Sequence, residues 1–208
     1  MKLYDAMTPN SLRVKVFLAE KQIDLPRHAV DVMCGGTRTP EFLAINSLGE
    51  LPVLELDDGT ILTETVAICR YLEGLHPEPS LFGTTPHEQG RIEMWNRRIE
   101  LHLFSSVGDY GRHTIPFFAD KVEQVPEYAE TLKRRVKKVW QWLDGELSDG
   151  REFVAGDRFS VADITGMAAL FVTQICELDL PAAQTHATRW AQMLRSRPSF
   201  ANQFAEAA

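Results

Sequence analysis

The chain predicts two architectures in succession: an α/β domain followed by an all-helical one. Three observations carry that reading. Strand and helix signals alternate over residues 1–75, proline density rises over residues 76–86, and residues 87–208 show helical periodicity with almost no strand signal. At 208 residues the length suits one large domain or two modest ones, with a real core in either case.

In the first domain, Lys2 to Asp5 is a short apolar run. Ser11 to Gln22 has helical spacing through Leu12, Val16, Phe17 and Ala19, and His28 to Val32 alternates again. Strand, helix and strand in that order favour a parallel pair. After a short helix at Glu41 to Ile45, the β-rich runs Pro52 to Leu56 and Thr60 to Leu62 flank Asp57-Asp58-Gly59, a turn that makes them an antiparallel hairpin. A helix follows from Glu64 to His76, with Val66, Ile68, Tyr71, Leu72 and Leu75 on its apolar face. This is the thioredoxin-like order of elements.

The prolines of His76-Pro77-Glu78-Pro79 through Pro86 read as a linker. Beyond it, helical patterns run over His87 to Ser105, Pro126 to Leu147, Val161 to Ile175 and Thr188 to Arg195, which makes the second domain a helical bundle. Phe159-Ser160-Val161-Ala162-Asp163-Ile164 is a capping box with a hydrophobic staple: it starts a helix and does no chemistry.

Composition narrows the function. At 44% hydrophobic and 25% charged the chain is an ordinary globular one, and its net charge of −7 opposes a nucleic-acid partner. The basic run Lys133, Arg134, Arg135, Lys137 and Lys138 reads as a solvated helix face offset by neighbouring glutamates. Met1-Lys2 leads directly into Leu3-Tyr4, and no apolar stretch reaches the length of a membrane span, so a cytoplasmic protein is expected. Cys34, Cys69 and Cys176 are odd in number and widely spaced, which predicts free thiols and neither disulfides nor a metal site.

Three segments of the first domain stand out for their polarity. Thr8-Pro9-Asn10-Ser11 opens the first helix: Asn10 or Ser11 serves as a plain N-cap, or the donors at this positive helix end hold an anion. In Gly49-Glu50-Leu51-Pro52-Val53, Pro52 is either a simple strand starter or part of a cis Leu51-Pro52 bond. The second arrangement, expected here, offers the backbone of Leu51 to an extended peptide. Thr63-Glu64-Thr65-Val66 is a helix start, or a receptor in which Glu64 takes an ammonium and Thr65 a carboxylate.

Over nearly its whole length the sequence resembles the cytosolic glutathione transferase family. The resemblance rests on the thioredoxin-like opening, Pro40-Glu41-Phe42-Leu43 with Asn46, Leu51-Pro52-Val53-Leu54, and Glu64-Thr65 with Ile68 and Tyr71-Leu72. It continues through the proline-rich linker, the Ser160 to Asp163 box and Arg197-Pro198-Ser199-Phe200. Within the family it looks most like theta-like bacterial and fungal members, by Val53 to Thr60 and Phe153-Val154-Ala155-Gly156-Asp157.

The resemblance implies glutathione as co-substrate, no metal, a small hydrophobic electrophile, a detoxifying conjugation and a homodimer. It assigns Glu64 and Thr65 to the γ-glutamyl group, Leu51 with Pro52 to the cysteinyl unit, and Arg38 and Glu50 to the glycine end, where the charge of Glu50 departs from the Lys, Gln or Thr of many relatives. For the thiol, Thr8 falls near the slot of the family's Ser or Cys, and Thr8 with Asn10 is preferred over a water held by His113, whose usual serine partner is replaced by Gly108. The electrophile pocket is expected at Met7, Phe104, Tyr110, Arg112, Phe117 and Phe118. Two alternatives stay open: a glutathione-dependent disulfide reductase and a non-catalytic binding module.

Overall fold

A computed structural model describes residues 1–178 and 180–204 in full and the backbone of residues 205–207. It divides into a unit of Met1–Ser80 and a unit of Leu81–Ala205.

In the first unit β1 (Lys2–Asp5) lies between β2 (Arg27–Ala29), parallel to it, and β3 (Val53–Glu55), antiparallel to it. The hairpin partner β4 (Ile61–Leu62) closes the edge, so the order β2-β1-β3-β4 is the thioredoxin-like one the sequence predicts. Helices α1 (Pro9–Lys21) and α3 (Thr65–Leu75) pack together, and Leu12, Val16, Phe17, Ile68 and Leu72 are completely buried with Leu3 and Leu54 of the sheet. Tyr4, Phe42, Leu51 and Val53 form a second apolar cluster, to which α2 (Pro40–Ile45) contributes Phe42.

Two elements differ from expectation by more than one residue. Helix α1 begins at Pro9, because Thr8 rather than Asn10 or Ser11 is its N-cap and Pro9 occupies the first turn, where its missing N–H costs nothing. Strand β2 covers Arg27–Ala29 instead of reaching Val32, since the Asp31 carboxylate accepts the N–H groups of Met33 and Cys34 and turns the chain.

In the second unit α4 (Pro86–Arg98) continues through a π-helical turn, Ile99–Phe104, into α5 (Ser105–Thr114). The sequence ends this helix at Ser105 because Gly108 and Gly111 lower local helix propensity. Tertiary contact overrides that preference, since a Cβ on Gly111 would stand 3.1 Å from Cys176 Sγ. Helices α6 (Pro126–Glu146) and α7 (Val161–Ile175) fall where their apolar spacing predicts. Helix α8 (Thr185–Ser196) starts three residues earlier than expected, because Asp144 Oδ1 of α6 accepts from His186 N and Ala187 N at 2.7 and 2.9 Å. Such a long-range cap is invisible in a local window. Leu81 and Phe82 of the predicted linker are buried, and Leu81 O accepts from Val161 N.

The Ser160–Asp163 capping box forms, and it does more than start α7. Asp163, completely buried, accepts Ser160 N and Ser160 Oγ on one oxygen, and Val154 N and Trp190 Nε1 on the other. Burial outweighs these four donors and pushes its carboxyl up to about 6. Among the described residues no helix is long and apolar enough to cross a membrane, and no group of three His, Cys, Asp or Glu side chains is placed to hold a metal.

Candidate active site

Sheet register gathers three of the predicted segments at one end of the first unit. Tyr4 pairs with Val53, so the antiparallel register carried two residues on sets Ala6, next to the Met7-Thr8 loop, beside Leu51. Leu54 pairs with Leu62, and the same extrapolation brings Glu64 opposite Pro52. The α1 N-terminus, the Leu51-Pro52 corner and the start of α3 therefore face one small region.

At the α1 end Thr8 Oγ1 accepts Ser11 N at 3.2 Å and lies 3.1 Å from Ser11 Oγ, which also accepts Ala6 N at 3.4 Å. Ser11 is fully buried and serves this hydroxyl pair, whereas Thr8 and Asn10 are half-buried. Neither the Asn10 side-chain amide nor its backbone N–H has a partner among the described residues, and both sit in the first turn, where the helix dipole is positive.

The Leu51-Pro52 peptide is cis, as expected. Leu51 keeps its side chain buried, while its N–H and C=O make no hydrogen bond with any described residue. Its approach is held by Asn46, which donates Nδ2 to Glu50 O at 2.9 Å and accepts Leu48 N at 3.2 Å.

Glu64 is no ordinary helix start. It adopts φ 64° and ψ 117°, a left-handed conformation rare for a residue with a side chain, and that side chain makes no capping bond. Glu64 is exposed and Thr65 beside it is buried. Arg13, 3% exposed, lies within electrostatic reach of the Glu64 carboxylate and beside the neutral Cys69 thiol. Burial nonetheless draws the guanidinium down to about 10. Sequence reasoning missed Arg13. Its one signal was a cation between Leu12 and Val14 on the face of α1 that the core covers.

Arg38 and Glu50 are both exposed. Arg38 donates Nη1 to Leu48 O at 3.0 Å and passes so close over Gly49 (φ 63°) that a Cβ there would stand 2.5 Å from Nη1 and 2.7 Å from Thr37 O. Only glycine fits beneath that side chain. Met7, exposed, completes the predicted residues of this unit.

The remaining predicted residues belong to the helical unit. Phe104 ends the π-helical turn, and Tyr110, Arg112 and His113 lie on α5. Arg112 pairs with Asp109 at 2.7 Å. His113 accepts Val125 N on Nδ1 at 3.1 Å and meets the Tyr128 ring edge-on, so one of its nitrogens caps α6 and only Nε2 is left to act elsewhere. Phe117 packs edge-on against Phe118 beneath the ammonium of Lys121.

Comparison with known proteins agrees over both units. A family model described as Glutathione S-transferase, N-terminal domain, matches residues 8–75, and one for the C-terminal domain matches residues 99–198. Glutathione S-transferase 2 of Saccharomyces cerevisiae is 38% identical over 204 residues, spanning 96% of this chain and 87% of the relative. GstA of Escherichia coli O157:H7 is 29% identical over 200 residues, 95% of this chain and 94% of the relative. Among solved structures, a glutathione S-transferase domain-containing protein of Marinobacter aquaeolei superposes with a TM-score of 0.90 at 40% identity, covering 96% of this chain and all 100% of the other. Gtt2 of Saccharomyces cerevisiae superposes with a TM-score of 0.90 at 37% identity, covering 97% and 99%.

Proposed function

This chain belongs to the glutathione S-transferase family, and from that premise we propose that its first unit binds glutathione and activates the thiol for attack on a small electrophile. The observation that carries the reading is that the Glu64 carboxylate and the unbonded backbone of Leu51 lie at one end of the sheet, in the order an extended γ-glutamyl peptide needs them, while Arg38, held by its Nη1 bond to Leu48 O, keeps further guanidinium donors. Glu64 takes the ammonium, the Thr65 hydroxyl and N–H take the γ-glutamyl carboxylate, Leu51 pairs with the cysteinyl backbone, and Arg38 meets the glycine carboxylate. Glu50 contributes its carbonyl to Asn46 and no charge complementarity.

Thiol activation falls to Thr8 and Asn10. A free thiol ionises near pH 8.5, and a drop of roughly two units requires under about 3 kcal/mol of preferential stabilisation of the anion. Asn10 supplies free donors at a helix N-terminus. Thr8 gains one if Ser11 donates within the hydroxyl pair, because Thr8 Oγ1 then accepts from Ser11 Oγ and Ser11 N and turns its own proton to the sulfur. Because His113 Nδ1 accepts from Val125 N, the neutral ring carries its proton on Nε2 and offers a donor rather than a general base.

Phe104, Tyr110, Arg112 and Phe117 of the helical unit are the residues assigned to electrophile binding. A cytoplasmic, detoxifying homodimer completes the reading, with Leu62, Val66, Arg91 and the exposed Met94 as contact residues. Calorimetry with glutathione, paired with turnover of a chloronitrobenzene against a small organic disulfide, tests it. Conjugation without disulfide reduction is the expected result, and absence of glutathione binding would overturn it.

A further inference from the structure

The corner that presents Leu51 carries a charge that glutathione does not match. Asn46, buried at the end of α2, fixes this corner from inside. Its Oδ1 accepts Leu48 N at 3.2 Å, its backbone oxygen accepts Gly49 N at 2.8 Å, and its Nδ2 donates to Glu50 O at 2.9 Å. The Glu50-Leu51 peptide is trans, so its C=O and N–H point in opposite directions. With the carbonyl turned in to Asn46, the Leu51 N–H is turned out.

The order of these groups fixes which part of a bound peptide Glu50 meets. Register sets Glu64 opposite Pro52, Leu51 precedes Pro52, and the next residue in the same direction is Glu50. Arg38, at the end of the short turn Gly36–Arg38, is tied to this corner through Leu48 O. A peptide with its γ-glutamyl group at Glu64 and its cysteine at Leu51 therefore ends at Glu50 and Arg38.

Both end residues are exposed and carry opposite charges, yet they do not pair with each other. Among the described residues the Arg38 side chain bonds to Leu48 O alone, and the Glu50 carboxylate makes neither a hydrogen bond nor an ion pair. A glycine carboxylate suits Arg38, but it brings a like charge up to Glu50, and such juxtaposition is unfavourable. Converting that carboxyl to an amide removes the repulsion. The amide oxygen still accepts from the guanidinium, and an ammonium carried beyond the amide nitrogen meets the Glu50 carboxylate. Leu48, 59% exposed on the same corner, offers apolar surface to the methylenes between.

We propose that the glycine end of this site prefers an amine conjugate of glutathione, its glycine carboxyl amide-linked to an aliphatic diamine or polyamine, with Glu50 as the residue that selects the free ammonium. This rests on the glutathione site proposed above. Calorimetry on the full-length protein, comparing glutathione with its glycine-linked putrescine amide at low salt, tests it. The amide should bind roughly three- to tenfold more tightly than glutathione, and added salt should shrink that ratio. Glu50→Gln should abolish the preference and Glu50→Lys invert it, and glutathione itself should bind both variants more tightly than wild type. Arg38→Gln should weaken glutathione more than the amide. Glutathione binding as tight as the amide in wild type would overturn the proposal. So would a preference that survives Glu50→Gln, which would be general attraction of a cation to a chain of net charge −7. Failure of both peptides to bind would remove the glutathione site itself and the proposal with it.

Discussion

Asp163 and Trp190 meet in the interior of the helical unit, the carboxylate Oδ1 accepting the indole N–H at 3.0 Å with both side chains fully buried. The bond ties the first turn of α7 to α8, so the capping box is also a tertiary clamp. Asp163→Ala would strand buried donors at Ser160, Val154 and Trp190. At about 1–3 kcal/mol for each unsatisfied group, a loss of at least 4 kcal/mol is expected in urea denaturation. Gly166→Ala should break the same clamp indirectly, because its methyl group would overlap the Trp190 ring edge.

Asp163 also predicts a pH dependence. Its folded carboxyl titrates at about 6, above the unfolded value near 3.9. The folded chain therefore holds a proton that the unfolded chain releases, and this contribution is full below pH 4 and lost as pH rises through 6. It amounts to about 3 kcal/mol. Denaturation midpoints across that window should show the fall in wild type, and Asp163→Asn should remove this component of it.

For Glu64, binding and backbone strain separate in two variants. Glu64→Ala should weaken glutathione binding by about 2–5 kcal/mol if the contact is desolvated. Glu64→Gly should lose the same affinity, yet be more stable than Glu64→Ala by about 1 kcal/mol, since only glycine is relaxed at φ 64°. Equal thermal midpoints for the two would contradict the strain argument, and unchanged affinity would remove Glu64 from the site.

Asn10 and Thr8 should govern the thiol. Asn10→Ala is expected to raise the pKa of bound glutathione towards the free value and to slow turnover roughly ten- to a hundred-fold without loss of stability. Thr8→Ala should do the same and also cost about 1 kcal/mol as a lost N-cap, which Thr8→Ser restores. His113→Ala should leave the thiol pKa where it is, because the donors to the thiolate come from Thr8 and Asn10. Thiolate absorbance followed against pH reads all four variants.

Gly49→Ala places a methyl group against the Arg38 guanidinium and strains a positive φ. A several-fold rise in the glutathione dissociation constant is expected. Gly59→Ala, at φ 84° in open space, should reduce stability alone.

Light scattering at micromolar concentration should give twice the 23.5 kDa of the chain, and Met94→Glu should shift that mass towards the monomer.

Local pattern was enough for the order of elements in the first unit, for α6 and α7, and for the Ser160–Asp163 box, because 3.6-residue and two-residue periodicity and side-chain caps act within a few positions. The resemblance to a family supplied Glu64, Thr65, Leu51 and Arg38 as binding residues, and their identities alone suggested opposite charges for an amino acid head group. Helix 105–114 was not legible, since its glycines lower local helix propensity and only the fold shows Cys176 packing against one of them. Arg13 was not legible as a buried cation within reach of Glu64, for nothing near it in sequence reveals what covers it.

By itself, then, the sequence determined an α/β domain followed by a helical one and a polar set suited to a zwitterionic peptide, since these depend on residue type and short spacing. Only the tertiary structure decided that Asp144 of α6 caps α8, that His113 Nδ1 accepts from Val125 N, and that Glu64 is held at positive φ. Each of these depends on which distant segment fills a given space, and close packing of the whole chain settles that choice, not local propensity.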